Sequence, residues 1–286
     1  EEHALPLRSV LDALRIRQCI DDADARAERQ GGRARIGIIG GGPIGVELAT
    51  AISSAHRAVE VMLVERNSRF LDRAPKRLSG VALRQARESG IRVHLDTAVA
   101  RVNVGVCTLQ PRPMKAGEER EHLLCGFEGD SIDVEVDGLI WATGNVYGPL
   151  SLAEGLPSDP SGRIRVDNEL RVQGERNIFA MGDCAAFGDT GLAPRAAIAD
   201  HQVATVEQNV LSSIGFGQMR AYRERVLPEI ITLASHRAGF RYRRLVLAGF
   251  LPWLLYQIIV LRYFQRAFGF VRGLHAQSVE QFEGMV

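Results

Sequence analysis

The sequence predicts an α/β fold in which helices cover a parallel sheet in a three-layer domain, followed by smaller units. The first observation behind this prediction is an apolar run at residues 36–39, which leads through three glycines into an apolar helical segment. The second is another apolar run, at residues 61–64, after that segment. Strand, turn, helix and strand in this order form a βαβ unit, and such units build parallel sheets.

The elements around this unit follow from apolar spacing and glycine positions. Residues 8–28 have the spacing of an amphipathic helix. A second helix is predicted at about 76–89, where Gly90 closes it, and residues 91–95 form a third strand candidate. Both helices therefore lie beside predicted strands, as an α/β layer requires.

The periodicity shifts toward two between residues 97 and 136, which is typical of antiparallel strands. The predicted elements of this meander are strands at 98–102, 123–127 and 132–136 and a hairpin turn at 128–130. The last strand of this first domain follows at 138–143, and Gly144 after it lets the backbone pass close to a ligand. A second unit is then predicted from strands at 164–167 and 177–181 and a helix at about 194–211.

The glycine turn is the strongest functional signal. Gly40, Gly42 and Gly45 occupy the three glycine positions of G-x-G-x-x-G. The first permits a tight turn, the second lets a pyrophosphate approach the backbone, and the third lets the helix pack close to the strand. Free N–H groups at the helix start, around Pro43 and Ile44, favour negative charge. The motif predicts a dinucleotide site, and the alternative is a glycine-rich turn that binds nothing.

An acidic residue stands at the position expected to bind ribose. Glu65 ends the second strand, twenty positions after Gly45. Its carboxylate would accept hydrogen bonds from the ribose hydroxyls and repel a 2′-phosphate, which favours NADH over NADPH. The adjacent Arg66 weakens that preference.

Composition excludes several classes of function. The net charge is +1, so we expect no nucleic-acid partner. Cys19, Cys107, Cys125 and Cys184 form no close pair, which argues against a redox dithiol and a disulfide framework. No zinc-ligand spacing is present, and no metal is predicted. Residue 1 is Glu, so a fragment of a longer chain is expected.

The carboxy-terminal region combines apolar length with basic flanks. Residues 245–261 contain only one strongly polar side chain, Gln257. Seven arginines and no acidic residue lie between residues 237 and 272. Because Pro252 should kink or split a helix, we expect a segment embedded in a membrane surface, not one that spans it. The alternatives are a buried core helix and a dimer contact, so a homodimer stays open.

Four motifs together resemble the two-dinucleotide flavoproteins, the pyridine nucleotide–disulfide oxidoreductase family in its broad sense. They are the segment 40–47 with Glu65, the run from Asp137-Gly138 to 142–144, the segment 162–167, and the segment 177–185. Within the family, the chain is most similar to type II NADH dehydrogenases or to near relatives of the apoptosis-inducing-factor type. The absent dithiol argues against a disulfide reductase.

The resemblance implies roles for individual residues. Asp183 would bind the ribityl and pyrophosphate region of FAD, and the alternative is an aspartate that caps the next helix. Glu47 matches a glutamate near the nicotinamide and flavin rings and is the candidate catalytic residue. The alternative for Glu47 is an acid stabilised by the helix dipole. Further cofactor contacts are implied at Ala142, Gly144, Gly182 and Ala196.

Two departures from the family pattern qualify these expectations. Ala197 and His201 stand where quinone reductases of the family carry glutamines, with Gln202 one place later. His201 is either a polar quinone contact or a surface or helix-packing residue. Only 34 residues precede Arg35, and they contain no second G-x-G-x-x-G. We therefore expect the first FAD-binding half to be missing and FAD to be held weakly by this chain alone.

The resemblance implies a flavin-dependent enzyme at the cytoplasmic face of the cell membrane. NADH would pass hydride to FAD, and electrons would pass on to a membrane quinone. The alternatives are a reductase of a soluble acceptor such as ferredoxin or rubredoxin, and a non-catalytic NADH-binding membrane module. The predicted regions are a crossover helix (1–33), an NADH-binding domain (34–147), a partial FAD-binding domain (148–215) and a carboxy-terminal membrane-associating region (216–286).

Overall fold

The computed structural model describes residues 3–112, 131–144, 155–188, 195–233 and 236–268. They belong to two compact units, one of Glu1–Thr143 with Pro228–Val286 and the other of Gly144–Leu227. The helices are α1 (Val10–Gln30), α2 (Pro43–Ala55), α3 (Lys76–Glu88), α4 (Ala196–Ser213) and α5 (Phe250–Phe268). The strands are β1 (Leu5–Pro6), β2 (Ala34–Ile39), β3 (Val59–Val64), β4 (Arg92–His94), β5 (Thr97–Asn103), β6 (Val106–Pro111), β7 (Ile132–Glu135), β8 (Gly138–Trp141), β9 (Ile164–Val166), β10 (Ala185–Phe187), β11 (Glu229–Thr232), β12 (Ala238–Tyr242) and β13 (Leu245–Gly249).

A parallel sheet with strand order β1-β8-β2-β3-β4 forms the centre of the first unit. β2 pairs in parallel with both β3 and β8. Ile36, Ile38 and Leu63 on these strands are fully buried, as expected for strands covered on both faces. The predicted α/β class with a parallel sheet is confirmed. Because parallel strands end at one edge, the residues that follow β2, β3 and β8 meet there.

Local signals explain where the helices begin and end. The Ser9 side chain accepts a hydrogen bond from the Asp12 N–H at 3.2 Å and starts α1. Gly31, in the left-handed region with φ +66°, ends it. Gly90, with φ +76°, lies just past α3 and donates its N–H to the Arg87 carbonyl. Both predicted helices are thus present, and α1 begins and ends two residues later than the predicted 8–28.

The antiparallel meander is present, with β6 between β5 and β7. The sequence pattern did not lead us to predict β6, although Cys107 and Leu109 alternate inward and are fully buried. The strand expected at 123–127 and the turn expected at 128–130 lie outside the described residues.

In the second unit, β9 pairs in parallel with β10. The strand predicted at 177–181 is wrong, because Phe179 makes only an isolated antiparallel bridge with Arg171. Two backbone bonds, from Val172 to the Ile178 carbonyl and from Ala180 to the Leu170 carbonyl, satisfy this segment locally. It is therefore an extended loop segment against a turn, not a sheet strand.

The carboxy-terminal part of the first unit contains an antiparallel sheet, β11-β12-β13, that the sequence did not predict. Ile231 and Leu233 join the core formed by the parallel sheet and its helices. Gly239 of β12 lies against Leu78 of α3, where a Cβ on the glycine would stand 2.4 Å from Leu78 Cδ1. The absence of a side chain at Gly239 therefore permits the sheet to pack closely on α3.

The apolar run at 245–261 is divided between two elements. Its first five residues form β13, which pairs with β12, and α5 begins at Phe250. The expectation that Pro252 would split a helix is wrong, because Pro252 is the third residue of α5. Its missing N–H falls in the first turn, where no intrahelical partner is lost. Among the described helices, none has the length and apolar character needed to cross a membrane.

Two Gly→Ala substitutions test the packing of the carboxy-terminal sheet. Gly239→Ala should lower the free energy of unfolding by about 1–3 kcal/mol, because the new methyl overlaps the buried Leu78. Gly80→Ala should raise it by about 0.5–1 kcal/mol, because Gly80 is exposed within α3 with open space around it. Urea unfolding of both variants measures the two effects. Equal stability of the two variants would contradict this packing.

Candidate functional site

Gly40 forms the tight turn that leaves β2. Its N–H donates to the Val64 carbonyl at 2.8 Å, and its φ is +116°, a conformation that L side chains rarely adopt. A Cβ at Gly40 would also stand 2.9 Å from the Ala142 carbonyl oxygen. The glycine therefore lets the chain turn where the ends of β2, β3 and β8 come together, and it brings Ala142 beside the loop.

The next glycines fix how the helix opens. A Cβ at Gly45 would stand only 1.8 Å from the Gly40 carbonyl oxygen, so α2 packs directly on the turn. A Cβ at Gly42 would meet nothing within 4 Å. Gly42 is the N-cap of α2 without a side-chain cap, and Pro43 and the half-exposed Ile44 follow it. The helix thus begins with backbone N–H groups that no side chain caps, next to open space at Gly42, and this combination suits an anion.

Glu65 binds the glycine loop itself. Its Oε2 accepts the Gly41 N–H at 2.6 Å, and its Oε1 accepts the Asn67 N–H at 2.6 Å. The residue is 9% exposed. Hydrogen bonds to a carboxylate contribute about 1.5–3 kcal/mol each, so this bridge is a principal constraint on the turn. Each oxygen keeps a second lone pair that a ribose hydroxyl could use.

Gly41 is a site residue that the motif did not single out. A Cβ there would stand 2.4 Å from Phe70 Cδ1 and 3.0 Å from Glu65 Oε2. The glycine therefore lets the acidic side chain approach its N–H closely. The signal was present in the sequence, because three consecutive glycines exceed what G-x-G-x-x-G requires.

Glu47 lies on α2, one half turn after the glycine motif, and is held by the carboxy-terminal sheet. Its Oε1 accepts two hydrogen bonds from Thr232, one from the backbone N–H and one from Oγ1, both at 2.9 Å. Burial raises the pKa of the Glu47 carboxyl, and the two bonds from Thr232 oppose that rise in part. No sequence signal links residues 185 positions apart, so this contact was not predicted.

The expected flavin-side residues lie in the second unit. Gly182, with φ +69°, donates its N–H to Gln202 Oε1 at 2.6 Å, and Gln202 is 1% exposed. Asp183 lies in the 3₁₀ turn Gly182–Cys184 and is exposed. Ala196 is the exposed first residue of α4, which has no side-chain cap. The turn therefore presents a carboxylate, and α4 begins with uncapped N–H groups.

Gly144 and His201 are the remaining candidate residues. Gly144, with φ +72°, is exposed and follows Thr143 along the chain. His201 packs its ring on Tyr222, with centroids 5.5 Å apart, and its Nδ1 lies 3.3 Å from the Tyr222 hydroxyl. His201 thus packs against Tyr222, and its interpretation as a quinone contact stays a prediction.

Replacing the bridging carboxylate tests its role in the loop. Glu65→Gln should lower the free energy of unfolding by about 1–3 kcal/mol, because its amide NH₂ must face one of the two backbone donors. Glu135→Gln is the matched control, since the side chain of Glu135 is 85% exposed. Urea unfolding measures both variants. If Glu65→Gln is as stable as the control, the bridge does not constrain the turn.

The parallel sheet, the glycine turn and the helix that follows it define a Rossmann-type α/β fold. The chain belongs to the pyridine nucleotide-disulphide oxidoreductase family, whose model matches residues 4–207. The resemblance expected from the four motifs is therefore confirmed.

Two relatives of this chain are named as quinone reductases. Over 193 residues the chain is 29% identical to demethylphylloquinone reductase NdbB of Synechocystis sp., an alignment covering 66% of this chain and 42% of that protein. Over 223 residues it is 24% identical to the type II NADH:quinone oxidoreductase of Haemophilus influenzae, covering 72% and 46%. The chain spans less than half the length of these relatives.

Solved structures show the same fold. NDH2 of Plasmodium falciparum in complex with NADH has a TM-score of 0.69 at 14% identity, covering 99% of this chain and 74% of that one. A ferredoxin reductase of Rhodopseudomonas palustris has a TM-score of 0.61 at 19% identity, covering 82% and 51%. At these identities the likeness concerns the fold alone.

Proposed function

We propose that this chain is the NADH-binding part of a flavin-dependent NADH:quinone oxidoreductase, attached peripherally to the cytoplasmic face of the cell membrane. The observation that carries the proposal is the open, uncapped start of α2 at Gly42, with the turn before it held by Glu65. The quinone acceptor is proposed from the relatives, which are named as phylloquinone-type and NADH:quinone reductases.

The proposed NADH site assigns one task to each part of the loop. The backbone N–H groups of Gly42, Ile44 and Gly45 bind the pyrophosphate, helped by the positive end of the helix dipole. Glu65 accepts hydrogen bonds from the adenosine ribose through the lone pairs that Gly41 and Asn67 leave free. Ala142 lies against the turn, and Gly144 follows two residues later in the chain.

Glu47 is proposed to orient the nicotinamide end of the substrate. A helical side chain leans toward the amino-terminal end of its helix, so Glu47 leans toward the turn that holds the pyrophosphate. Its Oε1 takes both bonds from Thr232, and Oε2 remains to accept a hydrogen bond from a ligand. Orientation of this kind contributes to hydride transfer by positioning.

The features of the second unit fit the ribityl and pyrophosphate region of FAD. Asp183 offers an exposed carboxylate to hydroxyl groups, and the uncapped start of α4 at Ala196 suits anionic or carbonyl oxygens. Gln202 holds the Gly182 N–H and so fixes the turn that carries Asp183. When bound, FAD supplies the two-electron acceptor for the hydride.

The proposed membrane contact is the apolar face of α5. Leu251 is 73% exposed, and the other half-exposed apolar side chains repeat at helical spacing: Leu254, Leu255, Ile258 and Ile259. Exposed arginines lie at both ends, with Arg243 and Arg244 before the helix and Arg262 near its end. Basic flanks of an apolar face suit anionic lipid, with about 1 kcal/mol for each arginine near the surface.

A single methyl group tests the NADH site. Gly42→Ala should raise the dissociation constant for NADH at least about tenfold, because its methyl projects into the open space proposed for the phosphates. The loss of one phosphate contact is expected to exceed the roughly 1.4 kcal/mol that a tenfold change requires. Isothermal titration calorimetry measures the constant. Gly80→Ala, also exposed with open space, should bind NADH as the unaltered chain does. Absence of NADH binding by the unaltered chain, or equal binding by Gly42→Ala, would contradict the proposal.

Cosedimentation with vesicles tests the membrane contact. The double variant Leu251→Asp, Leu255→Asp should bind vesicles of 70% phosphatidylcholine and 30% phosphatidylglycerol at least about tenfold more weakly, because two charges enter the apolar face. Val104→Asp is the control, since Val104 is 82% exposed on the meander. Equal loss in both variants would contradict a specific contact. A dimer that dissociates in the double variant, without any vesicle binding, would assign the face to a second copy instead.

A further inference from the structure

Thr232 lies on an edge strand of the carboxy-terminal sheet. β11 pairs only with β12 in the sheet order β11-β12-β13. The backbone N–H of the next residue, Leu233, donates toward β12, to the Arg237 carbonyl at 2.8 Å. The N–H of Thr232 therefore faces the outer edge of the strand, where Glu47 accepts it. Glu47 is thus bound from a side of the sheet that no other strand covers in the described residues.

The strand is fixed well enough to hold a side chain in place. Ile231 and Leu233, on either side of Thr232, are each 2% exposed and belong to the core of the first unit. Glu229 and Arg241 face each other across β11 and β12 with an ion pair of 3.2 Å. Because the neighbours on both sides are buried, Thr232 cannot shift without disturbing that core.

Two donors from one residue act on one oxygen of Glu47. The Thr232 N–H and Oγ1 both reach Oε1 at 2.9 Å, which fixes the carboxyl plane and leaves Oε2 as the free acceptor. A sheet edge could be satisfied by the backbone bond alone. The second bond, from the hydroxyl, is not needed by the sheet, and it acts only on the Glu47 carboxylate.

We infer that Thr232 is a positioning residue that sets the orientation of Glu47 at the nicotinamide end of the NADH site. Through it, a strand 185 residues away in the chain completes a site that the glycine motif begins. The part of this inference that concerns NADH rests on the proposed function, whereas the part that concerns Glu47 does not.

Three threonine variants separate these parts. Thr232→Val removes the hydroxyl donor and keeps both the shape and the backbone N–H. Thr232→Ser keeps both donors, so Glu47 titration and NADH binding should be those of the unaltered chain. Thr108→Val is the matched control, because Thr108 Oγ1 donates to the Asp133 carboxylate at 2.6 Å in the meander.

The first measurement follows the Glu47 carboxyl by ¹³C NMR during a pH titration of the full chain. Thr232→Val should raise the pKa of Glu47, because a hydrogen bond that favours its charged form is lost. Thr232→Ser and Thr108→Val should leave that pKa where it is. An unchanged Glu47 titration in Thr232→Val would overturn the inference.

The second measurement is the NADH dissociation constant by calorimetry. Thr232→Val should raise it about three- to tenfold, the range expected for one lost hydrogen bond, and should raise it no further in a Glu47→Ala background. Equal effects in both backgrounds would overturn the inference even if NADH binds. If the unaltered chain binds no NADH, the proposed function fails, and the NMR titration still decides whether Thr232 positions Glu47.

Discussion

The two backbone hydrogen bonds that the Glu65 carboxylate accepts are the constraint on which the rest of the site depends. One carboxylate joins the turn after β2, through Gly41, to the segment after β3, through Asn67. The turn must then leave β2 at a fixed angle, and α2 must start on the Gly40 carbonyl. The carboxylate takes the Gly41 N–H, and the first helical hydrogen bond begins at the Val46 N–H, which leaves the N–H groups of Gly42, Ile44 and Gly45 for a ligand.

The same acid thereby has a structural task and a proposed binding task. The carboxylate proposed to bind ribose already has two partners within the protein, the backbone N–H groups of Gly41 and Asn67. This arrangement holds the side chain in one rotamer before any ligand arrives, which reduces the entropy that binding must overcome. The pairing of Glu47, on α2, with Thr232 follows the same logic. Both carboxyl groups proposed for the NADH site are thus held by the protein itself.

The sequence predicted the parts of the fold whose signals are local. The alternation of buried runs with a glycine turn identified β2, α2 and β3, and the spacing from Gly45 to Glu65 identified the acid. The sheet of β11, β12 and β13 escaped prediction because short apolar runs are compatible with either helix or strand. β13 continues without polar interruption into α5, so only the pairing with β12 distinguishes them. The contact between Glu47 and Thr232 depends on that sheet and has no local signature.

Residue-resolved amide hydrogen exchange by NMR tests the central claim most directly. In the unliganded chain, the amide protons of Gly41 and Asn67 should exchange slowly, because Glu65 accepts both, while those of Gly42 and Ile44 should exchange rapidly. Saturating NADH should slow Gly42 and Ile44 and leave Gly41 and Asn67 protected. Rapid exchange at Gly41, or no protection of Gly42 and Ile44 by NADH, would contradict the account.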